Sequence, residues 1–295
     1  MTPQQITAAV SCYVQMRRVV TAVNGGPNPA VSVSLSCTTT WSATQVWQRI
    51  WWLFFYSGMK TKFAHPRAQA AIKGGWFNNF SVFATANTQP GHAGHVKQHQ
   101  TSKGGQTFKA VGADAQTFCA RTNAYATMPY RTGARVVHRI NRLAVFFTAL
   151  EAAARLSGRS VVDELAGGNA LAQNALDIAF AKLEPVTGPI TALHCLSDLG
   201  FPCHKPDIWM CQIASWCGWT PGYSPDDLIK NRRGGWLALR TASQAIAAAS
   251  VATGAVSDPN PLRALDWYVA NYGMLKKPTT CPCSTLLASG TTPPA

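Results

Sequence analysis

The chain has 295 residues, of which 47% are hydrophobic and only 13% charged, and its formal net charge is +14 at pH 7. This length and apolar content allow a substantial core and exclude a chain that is disordered throughout. The basic excess predicts a polyanionic partner, because neutralised phosphates release counterions.

The charges are unevenly distributed along the chain. Residues 1–150 contain fifteen Lys or Arg and one acid, Asp114, whereas 151–295 contain eleven of each sign. We therefore predict a strongly basic, mainly helical lobe over 1–150, a neutral lobe over 151–277 and a disordered tail over 278–295. A solubility charge or an anionic membrane surface would be the alternative explanations of the basic excess.

Targeting signals and membrane segments are not recognisable. The first residues lack a basic head followed by an apolar run, and the most apolar stretch, Ile50–Tyr56, is too short to span a bilayer. We expect a cytoplasmic protein with no membrane partner, whose nine cysteines are reduced.

Helical periodicity dominates the regular parts of the sequence, which predicts a mainly α fold. The predicted helices are, in chain order, 44–57, a run through 71–72, 134–156, 168–183, 189–199, 207–217, 236–253 and 261–272. In the helix over 134–156, Val145 is placed among the core residues and Arg142 among the outward-facing ones. The segment 85–115 is rich in Gly, Gln, His, Thr and Lys, and is predicted as a mobile basic loop that contacts phosphates.

The segment Leu183–Trp219 carries the most chemical information. It reads as a helix, a glycine turn, a second helix, and an aspartate at the start of a third. The turn Pro185–Gly188 would present backbone N–H groups at a helix N-terminus, where Gly188 lets a phosphate oxygen come close. Asp207 follows at a predicted N-cap position, where N–H donors and the helix dipole favour an ionised carboxylate.

These residues resemble the helix-hairpin-helix DNA glycosylases, in the branch around 8-oxoguanine DNA glycosylase. The likeness covers Thr187–Ala192, which is similar to the hairpin glycine and the helix start after it, and Lys205–Asp207, which is similar to the approach to the catalytic aspartate. More loosely, Trp51–Ile72 resembles the helix-turn-helix segment that places a wedge in the minor groove.

The resemblance implies a two-lobed fold with a DNA-binding cleft between the lobes, and Asp207 as the catalytic carboxylate. Bifunctional members have a nucleophilic lysine where this chain has Ile190, so the implied enzyme is monofunctional: water attacks C1′ of a flipped nucleotide. Lys205 is a weaker candidate for an amine nucleophile. The chain is also similar to bacterial antiviral glycosylases that remove glucosylated hydroxymethylcytosine from phage DNA, which would place it in a bacterial cytoplasm or nucleoid.

The implied interface consists of DNA contacts and a base pocket. The DNA partner is expected to be double-stranded, with no obligate protein partner and no cofactor. The expected DNA-binding residues are Lys60, Lys62, Thr187, Gly188 and Lys205, and the expected pocket residues are Trp209, Asp266, Trp267 and Tyr268.

No metal site is predicted from the sequence. Cys195, Cys203, Cys211 and Cys217 do not have the spacing of an iron-sulfur loop, and the histidines of 85–115 have no acidic or cysteine partner nearby in sequence. Two other functions stay open: a non-catalytic helix-hairpin-helix module in which Asp207 is only a helix cap, and an RNA-binding or membrane-surface protein.

Overall fold

The computed structural model of the chain describes residues 1–27, 31, 33–51, 53, 69, 96–100, 106–110 and 130–283, with backbone alone for 96–100, 106–110 and 130–141. These residues are mainly helical, as the sequence predicts. The elements, labelled in chain order, are α1 (Pro3–Asn24), α2 (Leu35–Thr38), α3 (Ala43–Ile50), β1 (Val96–Gln100), β2 (Gln106–Ala110), α4 (Tyr130–Ser157), α5 (Val161–Leu165), α6 (Ala175–Thr187), α7 (Pro189–Asp198), α8 (Ile208–Trp216), α9 (Pro225–Ile229), α10 (Gly235–Ala252) and α11 (Pro261–Lys276). None of the described helices is long and apolar enough to cross a bilayer.

The chain divides into two compact units. The terminal unit contains Met1–Ser34 and Gly200–Ala295, and the central unit contains Leu35–Leu199. This division differs from the predicted boundary at residue 150, because α1 packs on the C-terminal helices α10 and α11. Lys and Arg outnumber acids by sixteen to seven in the central unit and by ten to five in the terminal unit. Both units are therefore basic, rather than one basic and one neutral.

The terminal unit is built around α1, α8, α10 and α11. Thr2 is the N-cap of α1, and its side chain accepts from the N–H of Gln5; the helix buries one face that includes Tyr13 and Met16. These side chains join a core that contains Met210 of α8 and Tyr268 of α11. The helix α8 is thereby fixed on its apolar side, which positions its two ends.

The C-terminal residues 278–283 are attached to this core. Cys283 is joined to Cys12 of α1 in a disulfide, and Cys217 and Cys281 lie beside this pair. The prediction of a disordered tail is therefore wrong for 278–283, and the expectation of reduced cysteines differs from the structure at Cys12 and Cys283. Sequence spacing could not reveal the pair, because its members are 271 residues apart.

In the central unit, α4 packs against α3, α5 and α6. The rings of Trp47 and Phe147 meet edge to face with their centroids 5.8 Å apart, and both are fully buried. Val145, predicted in this core, is instead 37% exposed, because Phe147 occupies the inward position. Arg142 is exposed, as predicted.

Two element boundaries in the central unit differ from the predictions for clear backbone reasons. Gly167 and Gly168 have φ values of 80° and 126°, so the helix predicted from 168 begins only at Ala175. Within 85–115, strands β1 and β2 pair antiparallel with Val96 opposite Ala110 and Gln100 opposite Gln106. That part of the predicted loop is a β-hairpin, for which Gly104–Gly105 before β2 is a turn signal in the sequence.

Candidate functional site

The helix-hairpin-helix element of the sequence is formed by α6, Gly188 and α7. Helix α6 continues through Pro185 to Thr187, so Gly188 is the single residue between the two helices. Its φ of 82° and ψ of 157° belong to a region that only glycine adopts readily, and a Cβ at this position would meet nothing within 4 Å. The turn is therefore open on the side where Gly188 has no side chain.

The hairpin donors differ from those predicted. The N–H of Gly188 donates to the carbonyl of Glu184 at 2.7 Å, and the Thr187 hydroxyl is buried and donates to the carbonyl oxygens of Leu183 and Gly188. Neither group is available to a phosphate, which corrects the expected roles of Thr187 and of the Gly188 N–H. Both groups donate to carbonyl oxygens within the hairpin because α6 extends through the predicted turn.

The open donors of the hairpin belong to the first turn of α7. Pro189 has no N–H, and the N–H groups of Ile190 and Thr191 have no acceptor among the described residues, as expected for a helix start. Ile190 is 39% exposed. Arg142 of α4 donates to the carbonyl of Pro185, so its guanidinium is beside the hairpin. The sequence could not pair these two residues, which are 43 positions apart.

Asp207 is the N-cap of α8, as predicted. Its Oδ1 accepts from the N–H of Met210 at 2.8 Å, while Oδ2 lies 3.4 Å from Nζ of Lys205. The side chains of Asp207 and Lys205 are 18% and 26% exposed. One oxygen of the carboxylate is thus fixed by the helix, and the other faces a cation at the protein surface.

A second carboxylate, Asp266 of α11, lies buried next to this pair. Its Oδ2 accepts from the backbone N–H of Lys205 at 3.4 Å and lies 3.4 Å from the guanidinium of Arg263, while Oδ1 has no hydrogen-bond partner in the described residues. The pKa of Asp266 is raised to about 6, chiefly by burial and also by the charge of Asp207, whereas Arg263 and Lys205 act to lower it. The two carboxylates are therefore close enough to influence each other but differ strongly in solvation.

Two other titratable groups belong to this part of the terminal unit. Burial raises the pKa of the Cys211 thiol, and the charges of Asp207 and Asp266 add to this effect. Burial and the charge of Arg240 lower the pKa of His204 to about 4. At pH 7 Cys211 is a neutral thiol and His204 a neutral imidazole, so neither supplies a charge to the site.

Of the residues predicted for the base pocket, Asp266 and Tyr268 are buried, whereas Trp209 and Trp267 are partly exposed. Trp209 lies against α11, where a Cβ on Gly273 would come within 2.6 Å of its Cγ. Tyr268 is fully buried, with the Arg17 guanidinium 4.7 Å from its ring centroid, and Trp267 meets it edge to face. Tyr268 and Asp266 therefore do not face an open pocket, and the prediction that they contact a base directly is wrong for this conformation.

An apolar cavity of about 440 Å³ also lies in the terminal unit, lined by residues that include Ile6, Trp219 and Ala242. Trp219 follows the C-terminal end of α8, whereas Asp207 is at its N-terminal end, about 14 Å away along nine residues of helix. This cavity is therefore not the base pocket predicted next to Asp207.

Lys60 and Lys62 lie outside the described residues, as does most of the basic sequence before residue 130. Lys205, a predicted DNA contact, lies within the described residues. Its ammonium group is partly exposed and lies 3.4 Å from the Asp207 carboxylate. Arg263 was missed as a site residue, although its position three residues before Asp266 on one helix is a recognisable signal for a pair.

No protein-family model, curated protein or solved structure matches the chain.

Proposed function

We propose that the protein is a monofunctional DNA glycosylase of the helix-hairpin-helix type, which flips a modified base and hydrolyses its N-glycosidic bond to leave an abasic site. The observation that carries this proposal is the setting of Asp207. Its carboxylate is oriented by the N–H of Met210, is partly open to solvent, and adjoins the buried Asp266. Such a fixed anion suits a reaction in which positive charge develops on a sugar.

In the proposed reaction, the bond between C1′ and the base nitrogen breaks, and the base leaves with the bonding electrons. The sugar becomes oxocarbenium-like, and the Asp207 carboxylate stabilises that charge. Water then forms the new bond to C1′ and gives its proton to Asp207, while the departing base takes a proton from solvent. Asp266 acts as a positioning residue, because it holds the Lys205 backbone and adds negative charge next to Asp207 when it is ionised.

DNA would be held by the start of α7 and by the basic excess of the chain. The open N–H groups of Ile190 and Thr191, with Arg142 beside them, suit a backbone phosphate. Lys205 would exchange its contact with Asp207 for a phosphate when DNA is bound. If six phosphates are neutralised, the slope of log K against log salt should be about −5 on duplex DNA. A slope near zero would contradict electrostatic binding to duplex DNA.

The substrate we propose is a bulky modified cytosine in phage DNA, excised in a bacterial cytoplasm as antiviral defence. The test is incubation of the full chain with genomic DNA from phages with modified and unmodified bases. Abasic sites and released bases would be measured, the latter by mass spectrometry. Release of a modified base from the modified phage DNA, with no base released from the unmodified DNA, supports the whole proposal. Release of a common damaged base would support the activity but replace defence by repair, and no release from any DNA would contradict the activity.

A non-catalytic DNA-binding module is the second candidate, and one observation favours it. Asp207 caps α8, a role that is sufficient by itself to explain an aspartate at this position. The two candidates share DNA binding and differ in base release. An Asp207→Asn variant separates them, because asparagine caps a helix about as well as aspartate but carries no charge.

A further inference from the structure

A disulfide and a pair of free thiols lie side by side in the terminal unit. The disulfide joins Cys12 of α1 to Cys283. The free thiols belong to Cys217, at the C-terminal end of α8, and to Cys281, two residues before Cys283. These four cysteines come from three separate parts of the sequence, so their meeting is a product of the tertiary fold.

The free thiols of Cys217 and Cys281 are closer together than an ordinary contact. Their sulfur atoms lie 2.7 Å apart. Non-bonded carbon atoms prefer a separation of about 3.5–4.0 Å, and sulfur is the larger atom. A disulfide holds its two sulfurs about 2.05 Å apart. The pair therefore needs an approach of less than about 1 Å to become covalently bonded.

We propose that Cys217 and Cys281 are a modification site, where a disulfide of low molecular weight, such as oxidised glutathione, oxidises the two thiols to a second, reversible disulfide. The Cys281 thiol loses its proton, and its sulfur attacks the oxidant and releases one small thiolate. Cys217 then loses its proton, attacks the Cys281 sulfur of the mixed disulfide and releases the second small thiolate. Two protein thiols are oxidised, and the small disulfide is reduced to two thiols that take up the two protons.

The surroundings of the pair allow this reaction. Cys217 and Cys281 are both partly exposed, so a small oxidant can approach them from solvent, whereas Cys12 is fully buried. Burial raises the pKa of the Cys217 thiol, and its hydrogen bond with Cys281 adds to this effect. The Cys217 thiolate is therefore scarce at neutral pH, which slows the closure of the bond without preventing it.

Cys281, rather than Cys283, is the partner of Cys217. The Cys283 sulfur lies 3.4 Å from that of Cys217, farther than the Cys281 sulfur, and it is already bonded to Cys12. A bond between Cys217 and Cys283 would require Cys12 to leave as a thiolate, and burial disfavours that charge. Oxidation of the free pair leaves the existing disulfide intact.

The second disulfide would attach the end of α8 to the segment after α11. Its two cysteines are 64 positions apart in the sequence, so the bond would restrict the unfolded chain. The oxidised form should therefore melt at a higher temperature than the dithiol form. The proposal does not depend on glycosylase activity, because thiols and disulfides are measured without DNA.

The test is a disulfide map of the full chain after incubation with reduced glutathione and, separately, with oxidised glutathione, both at a pH of about 8.5. Free thiols are alkylated under denaturing conditions, and peptide mass spectrometry without reduction follows each cysteine. We expect Cys217 and Cys281 to be alkylated in the first sample and joined to each other in the second. This map needs no variant and therefore does not depend on the folding of a mutant.

Cys281→Ser should leave Cys217 without a bond to another residue of the chain and abolish the difference in melting temperature. Cys37→Ser should behave as the wild type, because Cys37 is an exposed free cysteine outside the cluster. A wild-type Cys217 that stays alkylatable with oxidised glutathione would overturn the proposal. So would a lasting mixed disulfide with glutathione at either thiol, or a bond from Cys217 to Cys12 or Cys283.

Discussion

The hairpin at Gly188 and the acidic site at Asp207 both have polar groups open to solvent, but the two regions hold these groups by different means. At the hairpin the donors are backbone N–H groups of α7, and the conformation of one glycine makes them accessible. At Asp207 the groups are charged side chains, one partly exposed and one buried, held by α8 and α11. Backbone N–H donors would bind any phosphate regardless of the DNA sequence. The charged side chains would instead stabilise charge on the single substrate atom that lies next to them.

This difference predicts separable effects of mutation. Changes at the hairpin should alter DNA affinity and leave the rate of bound complexes unchanged. Changes at the acidic site should alter either the rate or the stability, because its buried members contribute to the fold of the terminal unit.

Arg263→Leu is expected to have the largest effect on stability. It leaves the buried Asp266 without its cationic partner, and loss of one member of a buried pair costs about 3–5 kcal/mol of unfolding free energy. The control is Arg155→Ala, which breaks an exposed pair with Glu151 and should cost at most about 1 kcal/mol. Urea denaturation of both variants measures the difference, and equal losses would show that the Asp266 pair is not effectively buried.

Gly273→Ala should lower the unfolding free energy by about 1–3 kcal/mol, because the added methyl group overlaps the ring of Trp209. Met274→Ala, at the neighbouring exposed position, should change it by less than about 0.5 kcal/mol. If Gly273→Ala is as stable as the wild type, the ring of Trp209 moves freely away from α11 and is not held in the position described.

Ile190→Glu should weaken duplex DNA binding about tenfold, because it sets a negative charge against the phosphate at the start of α7. The exposed position and the helix dipole make a folding defect unexpected. Ile190→Gln, of similar size without charge, should bind nearly as the wild type does. Equal affinity of the Glu variant in a fluorescence titration would mean that this helix end does not contact DNA.

A further prediction concerns pH dependence. The pKa of Asp266 is raised from 3.8 to about 6, so its ionisation should increase the rate of base release as the pH rises through about 6. Since the folded state holds this proton more tightly, the same raised pKa makes stability decline as pH rises from about 4 to about 6. Asp266→Asn should lose both dependences. Identical pH profiles for the variant and the wild type would exclude Asp266 from either role.

Features that depend on neighbouring residues could be predicted from the sequence. Ser42 with Gln45 marks the start of α3, and Pro206 before Asp207 marks that of α8, because capping uses residues within one turn. Features that depend on distant residues could not. The packing of α1 on α10 and α11, and the meeting of Cys12 with Cys217, arise from tertiary contacts that have no local pattern.

In the candidate site, too, the residues with local sequence signals were predictable and those that depend on tertiary packing were not. Asp207 follows from its place after Pro206, and the glycine of the hairpin from its neighbours Thr187 and Pro189. The burial of Asp266 and Tyr268 did not follow, because polar or aromatic residues on a helix have the same spacing whether they face solvent or the core.

The central claim is that Asp207 performs the chemistry and the hairpin holds the DNA. Single-turnover base release at saturating DNA tests it most directly, with wild type, Asp207→Asn and Ile190→Glu measured side by side. We expect Asp207→Asn to fold and bind DNA but to be slower by about a thousandfold, Ile190→Glu to react at the wild-type rate once saturated, and borohydride to trap no adduct. Full activity of Asp207→Asn would contradict the claim, and a borohydride-trapped wild-type adduct would replace water by an amine nucleophile such as Lys205.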